Sequence, residues 1–162
     1  MDKLTKLDKA CLANMAMMID VIESTIDKLD LLLAPYQDEF VKLLKDSNYE
    51  VNATKRVYTC TWGGVGLVFK ISASKKYRRK LNTVEIEFGY TCDKSQNVIC
   101  FQEMNNFNDE IHANIPSSFN KGRGNEDGGL YVEFSIDDTL SEGKIRECAD
   151  CFIEYILNPI MV

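Results

Sequence analysis

Apolar positions recur along the first part of the chain at helical spacing. Leu4, Leu7, Cys11, Met15, Met18, Ile22, Ile26, Leu29 and Leu33 follow one another at steps of three or four, averaging 29/8. That average is close to the ~3.6 residues per turn of a straight helix, so the stripe keeps to one face without supercoiling. Leu12 and Ile19 widen it toward the breadth expected for packing on a globular core. Two roles fit: a core helix lying on a sheet, or a seam for a second copy or another partner. The core role ranks first, and length keeps the seam in play. Thirty residues of helix span about 45 Å, against a radius of gyration of about 15 Å for a domain of this size. One end is expected to project beyond its own core. Ala34-Pro35 is expected to end this helix and start a short second one, about residues 36–46, with Tyr36, Phe40, Leu43 and Leu44 on its apolar face.

The period then changes to two. Tyr58, Cys60 and Trp62 alternate, as do Val65, Leu67, Phe69 and Ile71, then Val84, Ile86, Phe88 and Tyr90, then Leu130, Val132, Phe134 and Ile136. A shorter strand fits Asn97 to Gln102. Polar partners such as Lys70, Glu85, Glu87 and Glu133 occupy the alternate positions, which describes antiparallel strands buried on one face. Gly63-Gly64 and Asp93-Lys94-Ser95 read as hairpin turns. Residues 104–129 break the pattern with Asn105, Asn106, Asn108, Asn114, Asn120 and Asn125 and then four glycines. They read as a long loop, with one helical turn over Asp109 to Asn114. Thr139-Leu140-Ser141-Glu142 has capping-box spacing, and Ile145, Cys148, Ala149, Phe152, Ile153 and Ile156 follow at helical steps until Asn158-Pro159. The predicted fold is α+β in one domain, 1–162. A helical arm takes 1–47, an antiparallel sheet of about five strands takes 49–136, and a C-terminal helix takes 138–158. Both long helices are expected on one face of the sheet.

Charge changes the picture more than composition does. The net charge of -6 is segregated: residues 1–50 carry 6 basic and 10 acidic side chains, residues 51–103 carry 9 and 4, and residues 104–162 carry 4 and 11. The basic excess concentrates in Lys75-Lys76-Tyr77-Arg78-Arg79-Lys80, expected on a loop between two strands. Acidic ends around a basic middle suit a protein that docks on another surface. The acidic balance argues against a general nucleic-acid coat and allows a partner of complementary potential. A protein partner therefore ranks above nucleic acid.

The candidate chemistry is sparse. His112 is the single histidine, which excludes sites built on two or three imidazoles. Cys148-Ala149-Asp150-Cys151 has zinc or redox spacing, but it lies inside a helix, whereas low-pKa thiols sit at helix N-termini; buried structural thiols are expected. Glu85 and Glu87 share a strand face, where Lys70 is placed to pair with them. Neither a metal nor a cofactor is expected, and the lack of an acid–base constellation counts against an enzyme. Six cysteines, no signal-peptide pattern and no apolar run of membrane length point to reduced thiols in a cytoplasmic protein without membrane contact.

The order of elements resembles that of small acidic secretion chaperones, and also of bacterial immunity proteins and phage-encoded inhibitors. The resemblance covers architecture and transfers no residue roles. The function expected is a non-catalytic cytosolic binding protein that captures or inhibits a macromolecular partner. Its expected contact residues are Lys75, Lys76, Tyr77, Arg78, Arg79 and Lys80, the loop residues Asn105, Asn106 and Phe107, and Met15 and Met18 of the first helix. Methionine suits adaptable contacts, and that helix is also where a homodimer would form. The alternative is a small-molecule-binding or enzymatic domain, with a pocket between sheet and helices lidded by residues 104–129.

Overall fold

The computed structural model describes residues 5–59, 65–93, 96–123, 129–136 and 141–161. The chain is α+β: α1 (Lys6–Asp46), β1 (Glu50–Thr59), β2 (Val65–Tyr77), β3 (Lys80–Asp93), β4 (Gln96–Glu103), α2 (Asp109–Asn114), β5 (Asn120–Arg123), β6 (Leu130–Ser135), α3 (Glu142–Phe152) and α4 (Asn158–Met161). The strands form one antiparallel sheet in the order β1-β2-β3-β4-β6-β5.

The period-two positions face the helices, as expected. Leu67, Phe69, Ile71, Val84, Ile86, Phe88, Ile99, Phe101, Leu130 and Val132 are buried. They meet Leu33, Tyr36, Phe40 and Leu44 of α1 and Ile145, Cys148, Phe152 and Ile156 from the C-terminal helical segment. Phenylalanines dominate the junction. Phe69, Phe88 and Phe101 stack across three neighbouring strands, with centroids 4.9 and 5.3 Å apart. Phe40 meets the edges of Phe88 and Phe101 and touches Phe152. Two helices and a sheet are thus locked through one aromatic cluster.

Several expectations are corrected. No second helix starts at Pro35: α1 runs unbroken for 41 residues with Pro35 inside it. Proline removes the bond to the carbonyl four residues back, which belongs to Leu31. Leu31 is 79% exposed, so water can satisfy that carbonyl while the opposite face of the helix stays packed. Among the described residues the sheet has six strands, because the loop expected at 104–129 contains β5 as well as the expected turn α2. The first strand begins at Glu50, and of Tyr58, Cys60 and Trp62 only Tyr58 lies within the described residues. Gly63, Gly64, Lys94 and Ser95 lie outside them. The N-cap of α3 is Ser141, whose hydroxyl accepts from the Lys144 N–H at 3.2 Å; Thr139 lies outside the described residues. Asn158-Pro159 does not stop the last helix. A wide π turn over Ile153–Leu157, closed by the Asn158 N–H on the Ile153 carbonyl, resets the ladder, so Pro159 falls in the first turn of α4, where a missing N–H is tolerated.

Candidate functional site

The basic run lies at the end of a long hairpin. Lys75, Lys76 and Tyr77 finish β2, Arg78 and Arg79 form a two-residue turn, and Lys80 opens β3. The expected loop was therefore too wide: only the two arginines leave the ladder. Strand pairing satisfies the backbone while the long cationic side chains reach water from either face. Arg78 takes φ 58, the positive value that a tight hairpin turn demands.

Strand alternation divides the run. Lys75 points to the helix side, where its Nζ donates to the Ser47 carbonyl at 2.9 Å and lies 5.4 Å from the Tyr49 ring centroid. It sets a cation at the negative end of α1, so Lys75 belongs to the fold. Lys76 is paired with Leu81 on the open face, and Tyr77 with Lys80 on the helix side. The Arg78 guanidinium lies over the Tyr77 ring at 5.3 Å. Tyr77 and Leu81 are 58% and 62% exposed. Lys76, Arg78, Arg79 and Lys80 are exposed, and none of them enters an ion pair among the described residues. The tip therefore presents unneutralised cations around an aromatic and an aliphatic side chain.

Of the expected loop contacts, Asn106 and Phe107 are partly absorbed by the fold. Glu103, which the sequence reading passed over, is fully buried at the end of β4. Its carboxylate accepts from the backbone N–H groups of Glu85, Asn105 and Asn106 and from the Asn106 side-chain amide, at 2.6–3.2 Å. Asn106 also donates to the Thr83 carbonyl at 2.9 Å, and Phe107 packs against the core. Asn105 keeps an exposed side chain. A legible signal existed: Glu103 continues the inward series Ile99, Phe101, so a carboxylate was due on the buried face. Further along, Lys121 donates to the carbonyls of His112 and Ile115 at 2.8 and 2.7 Å. These bonds hold α2 to β5, so much of the expected lid is tied down.

Met15 and Met18 lie on a different surface. From Lys6 to Thr25 every residue of α1 is exposed, including Leu7, Leu12, Met15, Met17, Met18, Ile19, Val21 and Ile22. The stripe enters the core at Leu29 and continues through Leu33, Tyr36, Phe40 and Leu44. The expected projection is thus present and amounts to roughly 30 Å of helix.

Cys148 and Cys151 are free and buried within α3. Burial pushes the Cys151 thiol up to about 11 and the Cys100 thiol up to about 12, and it raises Cys148 as well, opposite to what a nucleophile needs. Lys70 pairs with Glu87 across β2 and β3 at 3.6 Å, as the strand pattern implied. His112 lies in α2 with its ring 6.2 Å from that of Phe107. The described residues contain no group of three or more His, Cys, Asp or Glu side chains placed to hold a metal ion. The interval between sheet and helices, where a pocket was expected in the alternative reading, is occupied by Phe40, Phe88, Phe101 and Phe152. Among the described residues, no helix is long and apolar enough to cross a membrane.

Fold and surfaces together define an α+β protein with helices on one face of its sheet, a cationic hairpin end and a projecting apolar helix. No protein-family model, curated protein or solved structure matches the chain, so function is argued from these surfaces.

Proposed function

We propose that the chain is a non-catalytic cytosolic binding protein whose hairpin end captures an acidic surface on a protein partner. The observation that carries this reading is the hairpin tip. Lys76, Arg78, Arg79 and Lys80 surround exposed Tyr77 and Leu81 without a carboxylate partner among the described residues. Exposed aromatic and arginine side chains in one patch are the composition of interface anchors. Unpaired cations at the end of an otherwise acidic chain steer encounter with a negative surface. Asn105 adds a further exposed polar contact beyond the tip.

The test is affinity purification from the native host with the wild-type chain and with Lys76, Arg78, Arg79 and Lys80 all replaced by Glu. Lys75 is left intact, since its bond to Ser47 would confuse binding with folding. Loss of the co-purifying protein, with an unchanged circular dichroism spectrum, is the expected result; undiminished capture removes the hairpin from the interface. Titration against duplex DNA at increasing salt separates the nucleic-acid alternative. Four phosphate contacts would give a log–log slope of about -3.6, whereas no measurable DNA binding is expected.

A further inference from the structure

The apolar stripe of α1 is core for one half of its length and bare for the other. Leu29, Leu33, Tyr36, Phe40 and Leu44 are buried against the sheet, while Leu7, Met15, Met18 and Ile22 on the same face stand in solvent. We propose that the bare half is covered by the same half of a second copy, packed antiparallel around a two-fold axis near Asn14 and Met15.

The direction follows from where the sheet lies. Beyond Leu29 the stripe side of α1 is filled by the chain's own sheet. A parallel partner on that side would drive its sheet into the same volume. An antiparallel partner leads its sheet away past the N-terminus of the first helix. With Asn14 beside Met15 of the other copy, Leu7 faces Ile22 and Cys11 faces Met18, and the reciprocal contacts repeat by symmetry. The two ends of the bare stripe thus cover each other, and each helix stops where its partner's stripe turns into core.

Charge agrees with this direction. Residues 10–19 contain no charged side chain, so the centre of the seam buries none. Lys6, Asp8 and Lys9 precede this segment with a net positive charge, and Asp20, Glu23 and Asp27 follow it with a negative one. An antiparallel pair sets unlike ends together, whereas a parallel pair stacks like on like. These charges ride largely on the outer flanks, so they select orientation more than they add strength.

The area suffices. Leu7, Leu12, Met15, Met18, Ile19 and Ile22 are between 41% and 72% exposed. Covering side chains of this size removes about 100 Å² each from water. Six per copy give about 1,200 Å² in all, at the lower end of stable interfaces. Met17 lies on the opposite side of the helix and Val21 on its flank, and neither is counted in this area.

Light scattering tests the proposal directly, independently of the hairpin. The wild-type chain should run at twice its 18.5 kDa mass. Replacing both Met18 and Ile22 with Asp should give a single copy with an unchanged circular dichroism spectrum, because neither side chain touches the core. A wild-type monomer at the highest attainable concentration overturns the proposal, as does a dimer indifferent to the double substitution. Should that monomer co-sediment with phosphatidylcholine–phosphatidylserine vesicles, the arm would be assigned to a lipid surface instead.

Oxidative cross-linking reads the direction. In the antiparallel register the two Cys11 residues lie about 10 Å apart along the axis, beyond the ~7 Å reach of a disulfide. Met15→Cys in a Cys11→Ser background places the thiols beside the two-fold axis and should yield a covalent dimer. The single Cys11→Ser variant sets the baseline for the other cysteines. A covalent dimer that forms in the wild type and vanishes in Cys11→Ser would overturn the antiparallel arrangement.

Discussion

Two residues inside the sheet carry constraints that their neighbours do not. Gly89 takes φ +153, and a Cβ there would stand 2.0 Å from the Leu67 carbonyl oxygen. Gly89→Ala must therefore part β2 from β3 or twist the strand, and should cost about 2 kcal/mol or more in urea unfolding. An unchanged midpoint would show that the ladder yields freely. Glu103 is the second. Its carboxylate is surrounded by donors, and an amide of the same size would turn one of its own donors toward them. Glu103→Gln should lose about 1.5–3 kcal/mol, and chemical denaturation would expose the contrary case. The thiols give a milder test. Cys100 and Cys151 are pushed up to about 12 and about 11 by burial, so both remain protonated at pH 8. In the single-copy Met18→Asp, Ile22→Asp variant, where Cys11 is exposed, a maleimide pulse mapped by mass spectrometry should mark Cys11 well before either of them. Early labelling of Cys100 would mean that the open face of the sheet admits reagent.

At the scale of elements, what could be read from the sequence depended on whether one periodicity decided the matter. The period-two runs of β2, β3, β4 and β6 and the helical runs of α3 and of α1 from Leu29 onward each bury one face, so there pattern and packing agree. β5 is Asn-Lys-Gly-Arg and carries no apolar alternation; it is a strand because β6 offers it an edge. Pro35 and Pro159 looked like stops because local rules take no account of an exposed helix face at Leu31 or of a π turn. The two candidate surfaces were legible as residue runs and not as geometry. The run at 75–80 gave no sign that Lys75 would fold back on Ser47, and a helical stripe reads the same whether its own sheet or another molecule covers it. Joints between elements were the least legible of all. Arg146 makes a two-pronged bond to Glu39 of α1 at 2.8 and 3.1 Å, reaches Asp150, and lies 4.9 Å over the Tyr36 ring. No local pattern joins residues so far apart in the chain. Arg146→Ala should loosen α3 from α1 by about 1–2 kcal/mol, the partly exposed setting keeping the effect modest. Lysine should restore only part of it, because a point charge cannot reproduce the fork. Thermal unfolding of the two variants would distinguish the joint from an idle surface pair, for which both would match the wild type.

Across the whole molecule, α1 is the ruler that separates the two candidate surfaces. Its 41 residues extend about 60 Å. The Lys75 bond to Ser47 holds the cationic hairpin beside its C-terminus, while the bare stripe occupies the N-terminal half. A seam at one end and a docking tip at the other leave each surface free when the other is engaged. Paired through the antiparallel arms, two copies would carry their hairpins at opposite extremes, with the C-termini of the two α1 helices about 95 Å apart by helical rise alone. Such a dimer engages a single soluble partner molecule as one site. On a dense array of partners it engages two sites, and the second attachment becomes intramolecular. The Met18→Asp, Ile22→Asp double variant leaves the hairpin unaltered. It should therefore match the wild type in solution affinity for the partner recovered through the tip. On a densely coated sensor surface it should dissociate about 100-fold faster or more. Equal dissociation on the dense surface, from a wild-type chain confirmed as dimeric, would mean that the two tips do not act together. Unequal solution affinities would instead place the arm within the partner's own contact.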